Sequence, residues 1–225
     1  MKITYYGHSC FGIENGGYKF LFDPFISYNE LAAGVDVSAI EAEYILLSHA
    51  HQDHTADAEI IARKNDSTIV ANWEIHAFYE KLGIKTHPMN LGGTWHFEFG
   101  SVTMTPAVHS SSFPDGTYGG NPGGFVVASA DRTFYFAGDT ALFSDMQLIG
   151  NEHKLDFAFL PIGDNFTMGI RDAIKAARLL GVKKVIAMHY DTFPNITINH
   201  EEVVTLASFN EIELILPEVG KTFSL

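Results

Sequence analysis

The sequence predicts an α/β fold in which sheets are covered on their outer faces by helices. Blocks of short strand patterns open the chain and fill its middle, helical patterns fall between those blocks, and the last third alternates strand with helix. Strands are predicted at Lys2–Tyr6, Cys10–Glu14 and Tyr18–Asp23, with Asn15-Gly16-Gly17 as the hairpin turn between the last two. A polar loop leads to a strand at Tyr44–Leu47. Helices follow at about Ala56–Lys64 and Trp73–Leu82 on either side of the strand Thr68–Ala71, and Gly83 closes the second helix. The strand-rich middle comprises Trp95–Phe99, Val102–Val108, Phe125–Ala130 and Thr133–Ala137. Beyond it come the strand Phe157–Pro161, a helix at about Gly169–Leu180 ended by Gly181, the strand Val185–Met188, a helix near Glu201–Phe209 and a strand at Glu213–Leu216. No internal repeat, low-complexity segment or linker is visible, so residues 1–225 are expected to form one domain.

Composition narrows the function classes. With 225 residues, 46% hydrophobic and 13% aromatic, the chain can bury a sizeable core. Its apolar runs fall short of the roughly 18 residues of a membrane span. Met1-Lys2-Ile3-Thr4 opens with a strand pattern rather than a signal peptide, so a soluble, cytoplasmic protein is expected. The lone Cys10 leaves no partner for an internal disulfide, in keeping with a reducing compartment. Fourteen Lys plus Arg against 27 Asp plus Glu give a net charge of −13, which repels polyanions over most of the surface. Lys183-Lys184 reads as a solvated helix-to-strand turn, and no run of basic residues stands out. A small molecule is therefore the expected substrate, and nucleic acid is disfavoured.

The stretch Ser48-His49-Ala50-His51-Gln52-Asp53-His54, directly after Tyr44-Ile45-Leu46-Leu47, places four potential metal ligands in six positions. In extended backbone His49 and His51 point to one side, while Asp53 and His54 begin the next turn and point elsewhere, a geometry that suits two ions better than one. Imidazole and carboxylate are donors that zinc, manganese and iron accept. The other residues of interest also stand where an apolar strand runs out: His8 after the first strand, His109 after Val102–Val108, Asp139 after Thr133–Gly138 and His189 after Val185–Met188. Loops at one end of packed sheets hold side chains rigidly and leave them open to ligand.

These residues resemble those of the metallo-β-lactamase superfamily. Its His-x-His-x-Asp-His signature stands as His49, His51, Asp53 and His54, its next histidine as His109, its bridging aspartate as Asp139 in Phe136-Ala137-Gly138-Asp139-Thr140, and its last histidine as His189. Gly7-His8-Ser9, Asp23-Pro24-Phe25, Thr105-Pro106-Ala107-Val108-His109 and Pro161-Ile162-Gly163-Asp164-Asn165-Phe166 look most like the compact metal-dependent hydrolases related to L-ascorbate-6-phosphate lactonase. The resemblance implies an αββα sandwich of two mixed sheets with two divalent ions at one edge, zinc foremost, with manganese, iron or nickel accepted by the same donors. His49, His51 and His109 would hold one ion, Asp53, His54 and His189 the other, with Asp139 bridging. It implies hydrolysis of a small ester, lactone or phosphodiester by a hydroxide shared between the ions, with Asp53 and His189 taking part in catalysis. Relatives also imply a homo-oligomer. RNA phosphodiester cleavage is the alternative, weakened by the net charge and by the few residues between Asp139 and His189.

Further residues carry smaller expectations. His8 could contact substrate, donate to a ligand or cap a turn. Asp164 and Asn165 could hydrogen-bond a ligand or a substrate oxygen. The long polar loop Ser110–Gly124 could wall the site, with Tyr118 and Asn121 as substrate contacts. His76, His87, His96, His153 and His200 lack ligand spacing and read as surface or structural residues.

Overall fold

The computed structural model describes residues 1–129 and 131–225. The first half of the chain forms β1 (Lys2–Gly7), β2 (Cys10–Asn15), β3 (Tyr18–Phe22), β4 (Tyr44–Leu46), α1 (Gln52–Thr55), α2 (Ala58–Asn65), β5 (Thr68–Asn72), α3 (Trp73–Lys81) and β6 (Thr86–Met89). The second half forms β7 (Thr94–Phe97), β8 (Gly100–Pro106), β9 (Gly123–Ser129), β10 (Thr133–Phe136), α4 (Met146–Glu152), β11 (Phe157–Pro161), α5 (Ile170–Leu180), β12 (Lys184–Met188), α6 (His200–Phe209), β13 (Glu213–Ile215) and β14 (Thr222–Ser224).

These strands build two mixed seven-stranded sheets, ordered β14-β1-β2-β3-β4-β5-β6 and β13-β12-β11-β10-β9-β8-β7. Topology repeats where sequence does not. In each half three antiparallel strands, β1 to β3 or β8 to β10, lead into a parallel run, β3 to β6 or β10 to β13. β7 edges the second sheet beside β8, whereas β14 crosses to pair with β1, so the end of the second half edges the first half's sheet.

Aromatic residues from both sheets fill the space between them. Phe11 meets Phe159 with ring centroids 4.7 Å apart, and Phe22 stacks on Phe136 at 4.6 Å. All four are fully buried, and each such side chain contributes about 1.5–3 kcal/mol by leaving water. A smaller cluster, including Ile45, Ile61, Ile69 and Ile75, packs α2 and α3 on the outer face of the first sheet. α5 lays Ala173, Ala176, Ala177 and Leu180 against the second sheet and ends at Gly181 in the left-handed conformation (φ 70°). Two sheets with helices outside are the architecture the sequence predicts.

Local differences have local causes. The helix expected at Ala56–Lys64 starts later, as α2 at Ala58, and follows the short helix α1; Asp57 between them accepts from the backbone N–H of Ile26 (2.6 Å) and of Ser27 (3.0 Å), tying the junction to the loop after β3. The strand expected at Trp95–Phe99 ends at Phe97, because residues 98 and 99 form the turn into β8. The expected strand Phe125–Ala130 runs as Gly123–Ser129; Ala130 lies outside the described residues. α1, β6, α4 and β14 were not expected from the sequence.

What matters for function is the common edge. β1, β3, β4 and β5 run in one direction in the first sheet, and β8, β10, β11 and β12 do so in the second. Their C-terminal ends meet. His189 N–H donates to the His8 carbonyl (2.9 Å) and Gly123 N–H to the Ser48 carbonyl (3.0 Å), stitching the two edges together.

Candidate metal centre

Three polar residues leave their strands in the left-handed region: His8 after β1 (φ 56°), Asp23 after β3 (φ 42°) and His189 after β12 (φ 55°). Such backbone costs about 1–3 kcal/mol per residue and persists where surrounding contacts fix it. Here all three are buried and aimed at the same place. Gly163, after β11, shows how closely the chains approach: a Cβ there would overlap the carbonyl oxygen of His189. At Gly138 (φ 61°), a Cβ would lie 2.7 Å from the Gly123 carbonyl oxygen and 2.8 Å from the Ser48 Cβ, so the turn delivering Asp139 requires glycine.

The centre is organised on one carboxylate oxygen. Asp139 Oδ2 lies 2.9 Å from His189 Nε2, 3.3 Å from His54 Nε2, 3.6 Å from His109 Nε2 and 4.0 Å from His49 Nε2. His51 joins through Nδ1, 2.9 Å from His49 Nε2, and His8 Nε2 lies 3.3 Å from Asp53 Oδ2. Two groups of donors result: His49, His51 and His109 offer ligand atoms within 4.8 Å of one another, and so do His8, Asp53, His54 and His189. Asp53 and His54 stand on α1, one turn beyond His49 and His51, which is how six positions of sequence serve both groups.

Donor orientation is set from behind. Asp23, fully buried, accepts from Ser48 N–H (2.8 Å), from the Ser48 hydroxyl (2.6 Å) and from His54 Nδ1–H (2.8 Å). With its proton committed to Asp23, the Ser48 hydroxyl accepts from His49 Nδ1–H at 2.9 Å. One carboxylate therefore turns the Nε2 atoms of both His49 and His54 toward Asp139.

Electrostatics follow the same layout. Burial opposes charge on His54, yet Asp139, Asp23 and Asp53 outweigh it and hold the imidazole well above its ordinary pKa. Burial likewise opposes ionisation of Asp139, and His189 and His54 overcome it, keeping the carboxyl well below the usual range. Burial pushes His49 well below its normal value and His8 down to about 4, with neighbouring His189 adding to the latter shift. These donors fit divalent cations. Buried His8 Nε2, His54 Nε2 and Asp139 Oδ1 have no hydrogen-bond partner among the described residues, an expensive arrangement in a dry interior unless a cation completes it.

The centre opens on a cleft of about 490 Å³ lined by His51, Asp53, His109, Ser110, Asp139, Phe166, His189, Phe193, Pro194 and Asn195. No Lys or Arg is among these lining residues. All seven residues expected to ligate metal are brought together, and His8 stands among them. Asp164 (φ 63°) and Asn165 (φ 56°) instead form the turn that carries Phe166 to the cleft, with the Asn165 N–H bonded to Asp164 Oδ1 (2.8 Å) and no hydrogen bond to a clustered histidine among the described residues. Of the loop after His109, Ser110 reaches the cleft. Tyr118 and Asn121 bond to each other (3.1 Å) away from its lining. His76 and His200 bind Thr86 and Asp191, outside the centre.

Sequence reasoning did not single out Asp23 or Ser48 as residues that orient histidines, nor Phe166, Phe193 and Pro194 as cleft wall. The available signal was position: each follows the C-terminal end of a strand on the shared edge.

Residues 18–190 match the family described as a beta-lactamase superfamily domain. A UPF0173 metal-dependent hydrolase of Flavobacterium johnsoniae is 50% identical over 225 residues, covering all of both chains. One from Thermus thermophilus is 48% identical over 213 residues, covering 95% of this chain and 94% of that one. Among solved structures, Igni18, a metallo hydrolase from Ignicoccus hospitalis, superposes with a TM-score of 0.89 at 33% identity, covering 100% of this chain and 98% of its own. The chain belongs to the metallo-β-lactamase superfamily and, within it, to the UPF0173 family of metal-dependent hydrolases.

Proposed function

We propose that this chain hydrolyses small, uncharged esters or lactones at a two-ion centre. His49, His51 and His109 would hold one ion and Asp53, His54 and His189 the other, with Asp139 available to both. Zinc suits this set of imidazoles and carboxylates, and manganese, iron or nickel are accepted by the same donors. When bound, such ions ionise water near neutral pH and polarise the oxygen that gains charge. The observation that carries the reading is the single Asp139 oxygen within 4.0 Å of four imidazole Nε2 atoms at the floor of an open cleft.

The chain's own residues do the rest. Asp53, its side chain 28% exposed, lines the cleft and can take a proton from the attacking water and return it to the leaving oxygen. Phe166, Phe193 and Pro194 form an apolar wall that excludes water and seats a hydrocarbon portion of the substrate. Because no Lys or Arg lines the cleft and the net charge is −13, a neutral carbonyl compound fits better than a phosphodiester of RNA. A lactone gives this reading common ground with the ascorbate-6-phosphate lactonase resemblance, although the apolar wall favours a substrate without its phosphate.

The test is elemental analysis of purified protein joined to an activity panel of neutral esters, lactones and phosphodiesters, run beside His51→Ala and Asp139→Ala. Wild type should carry two ions and turn over esters or lactones, and both variants should lose activity. Full activity in the variants, or cleavage confined to phosphodiesters, overturns the proposal.

A further inference from the structure

We propose that His8 is itself a ligand of the second ion, a fifth protein donor beside Asp53, His54, His189 and the shared Asp139. This rests on the cluster being a metal centre, and it adds a residue from the first strand, outside the histidine-rich stretch.

The hydrogen bonds around His8 accommodate the tautomer that metal ligation needs. The Thr192 hydroxyl donates to the carbonyl of Tyr190 (3.3 Å), so toward His8 it presents a lone pair. In that arrangement His8 Nδ1, 2.9 Å from the same oxygen, donates to it and leaves the lone pair on Nε2. That lone pair is buried, has no hydrogen-bond partner among the described residues, and faces Asp53 Oδ2 at 3.3 Å. An imidazole lone pair and a carboxylate oxygen repel each other in a dry site unless a cation lies between them. His54 and His49 use the same device, with Nδ1 donating outward and Nε2 facing the centre.

Position agrees with chemistry. His8 is fully buried, its ring centroid lies 4.1 Å from that of His189 and 5.3 Å from that of His54, and its carbonyl accepts from Tyr5 hydroxyl (3.2 Å) and His189 N–H (2.9 Å). A residue held at both backbone and Nδ1 has its remaining nitrogen already aimed, which is how metal-ligating histidines are usually fixed.

Equilibrium dialysis of the full chain, stripped by chelator and titrated with Zn²⁺ or Co²⁺, tests the assignment. Asparagine tolerates left-handed backbone, so His8→Asn preserves the turn while removing the ring. It should keep the first ion, bind the second at least about tenfold more weakly, and show an altered visible spectrum for the second equivalent of Co²⁺. Thr192→Val, which frees the tautomer, should weaken the second ion by roughly tenfold. Wild type that takes up no ion overturns the metal centre and this assignment together. Wild type with two ions and His8→Asn with two at unchanged affinity and spectrum overturns the assignment alone, and marks His8 as a turn residue or as a protonated donor to Asp53. Should His8→Asn fail to fold, Thr192→Val decides, and unchanged second-ion affinity there overturns the proposal.

Discussion

The two halves of the molecule share one topology and end equivalent strands at the same edge, yet they furnish it with different chemistry. β1 and β8 end near His8 and His109; β3 and β10 lead to Asp23 and Asp139; β5 and β12 lead to Asn72 and His189. β4 and β11, the fourth pair, lead to the run His49–His54 and to the turn Gly163–Phe166. Asp139 faces the cluster directly, whereas Asp23 stands behind it and orients His54 and Ser48. A strand end on this edge therefore guarantees proximity, and the length and handedness of the following turn decide whether a side chain reaches the centre or supports it.

The comparison breaks most visibly at the aspartate pair. Zinc present at a thousandfold over its Kd should add about 4 kcal/mol to wild-type stability, or roughly 8–16 °C in melting temperature for a chain of this size. Asp139→Ala should lose most of that increment and all turnover, because four imidazoles lose their common partner. A zinc-dependent rise equal to wild type would show that the two aspartates do not differ in role. Asp23→Asn should keep both ions at saturation and bind them roughly 10–100-fold more weakly, the usual effect of removing a group that orients a ligand. Competition titration with a chromophoric chelator separates the two patterns.

Proton competition sharpens the same contrast. In the ion-free protein the carboxylates around His54 overcome burial and hold its pKa well above normal, so an arriving ion must displace a proton. The sign follows: below that raised pKa apparent affinity falls as pH falls, by about tenfold per pH unit for one proton released. Calorimetry in buffers of different ionisation enthalpy should detect that proton, and uptake without proton release would contradict the charge assigned to His54.

Much of the centre was legible in the sequence because the His49–His54 run is local, and because each distant ligand marks the end of an apolar strand. The remainder depends on contacts that no local pattern records. Asp23 is 25 residues from Ser48 and 31 from His54, and its role exists only once β3 and β4 pair. Phe166 reads as one more core aromatic until the left-handed pair Asp164 and Asn165 turns it out to 52% exposure. The topological repeat is hidden because only His8 and Ser9 separate β1 from β2, whereas residues 107–122 separate β8 from β9. β6 was missed for a simpler reason: Thr86-His87-Pro88-Met89 is a poor strand pattern, tolerated at a sheet edge where proline costs little.

Asn72 and His189 form the next test. Asn72 caps α3 by accepting from Ile75 N–H (2.9 Å) and donates to the carbonyls of Gly119 (2.8 Å) and Asn121 (3.1 Å). Asn72→Ala should cost about 1–3 kcal/mol of stability, from a lost cap and buried carbonyls left unpaired, without changing ion stoichiometry. Chemical denaturation with parallel metal analysis measures both, and a variant short of one ion would mean that this strand end is part of the centre after all.

The smallest effect belongs to the pair β4 and β11, where one loop carries ligands and the other a wall. Phe166 lines the cleft but bonds to nothing in the centre, so Phe166→Ala should raise KM for an ester with an apolar substituent by roughly three- to tenfold, in line with a half-exposed ring losing its contact. Its kcat should stay within about twofold, because binding lost equally from ground and transition states leaves the chemical step untouched. A methyl ester too short to reach the ring should show no change, which separates a wall that seats hydrocarbon from a residue that merely keeps the turn in shape. A fall in kcat for both substrates would place the β11 loop among the groups that hold the reacting atoms, and the division of labour between the two loops would then be one of degree.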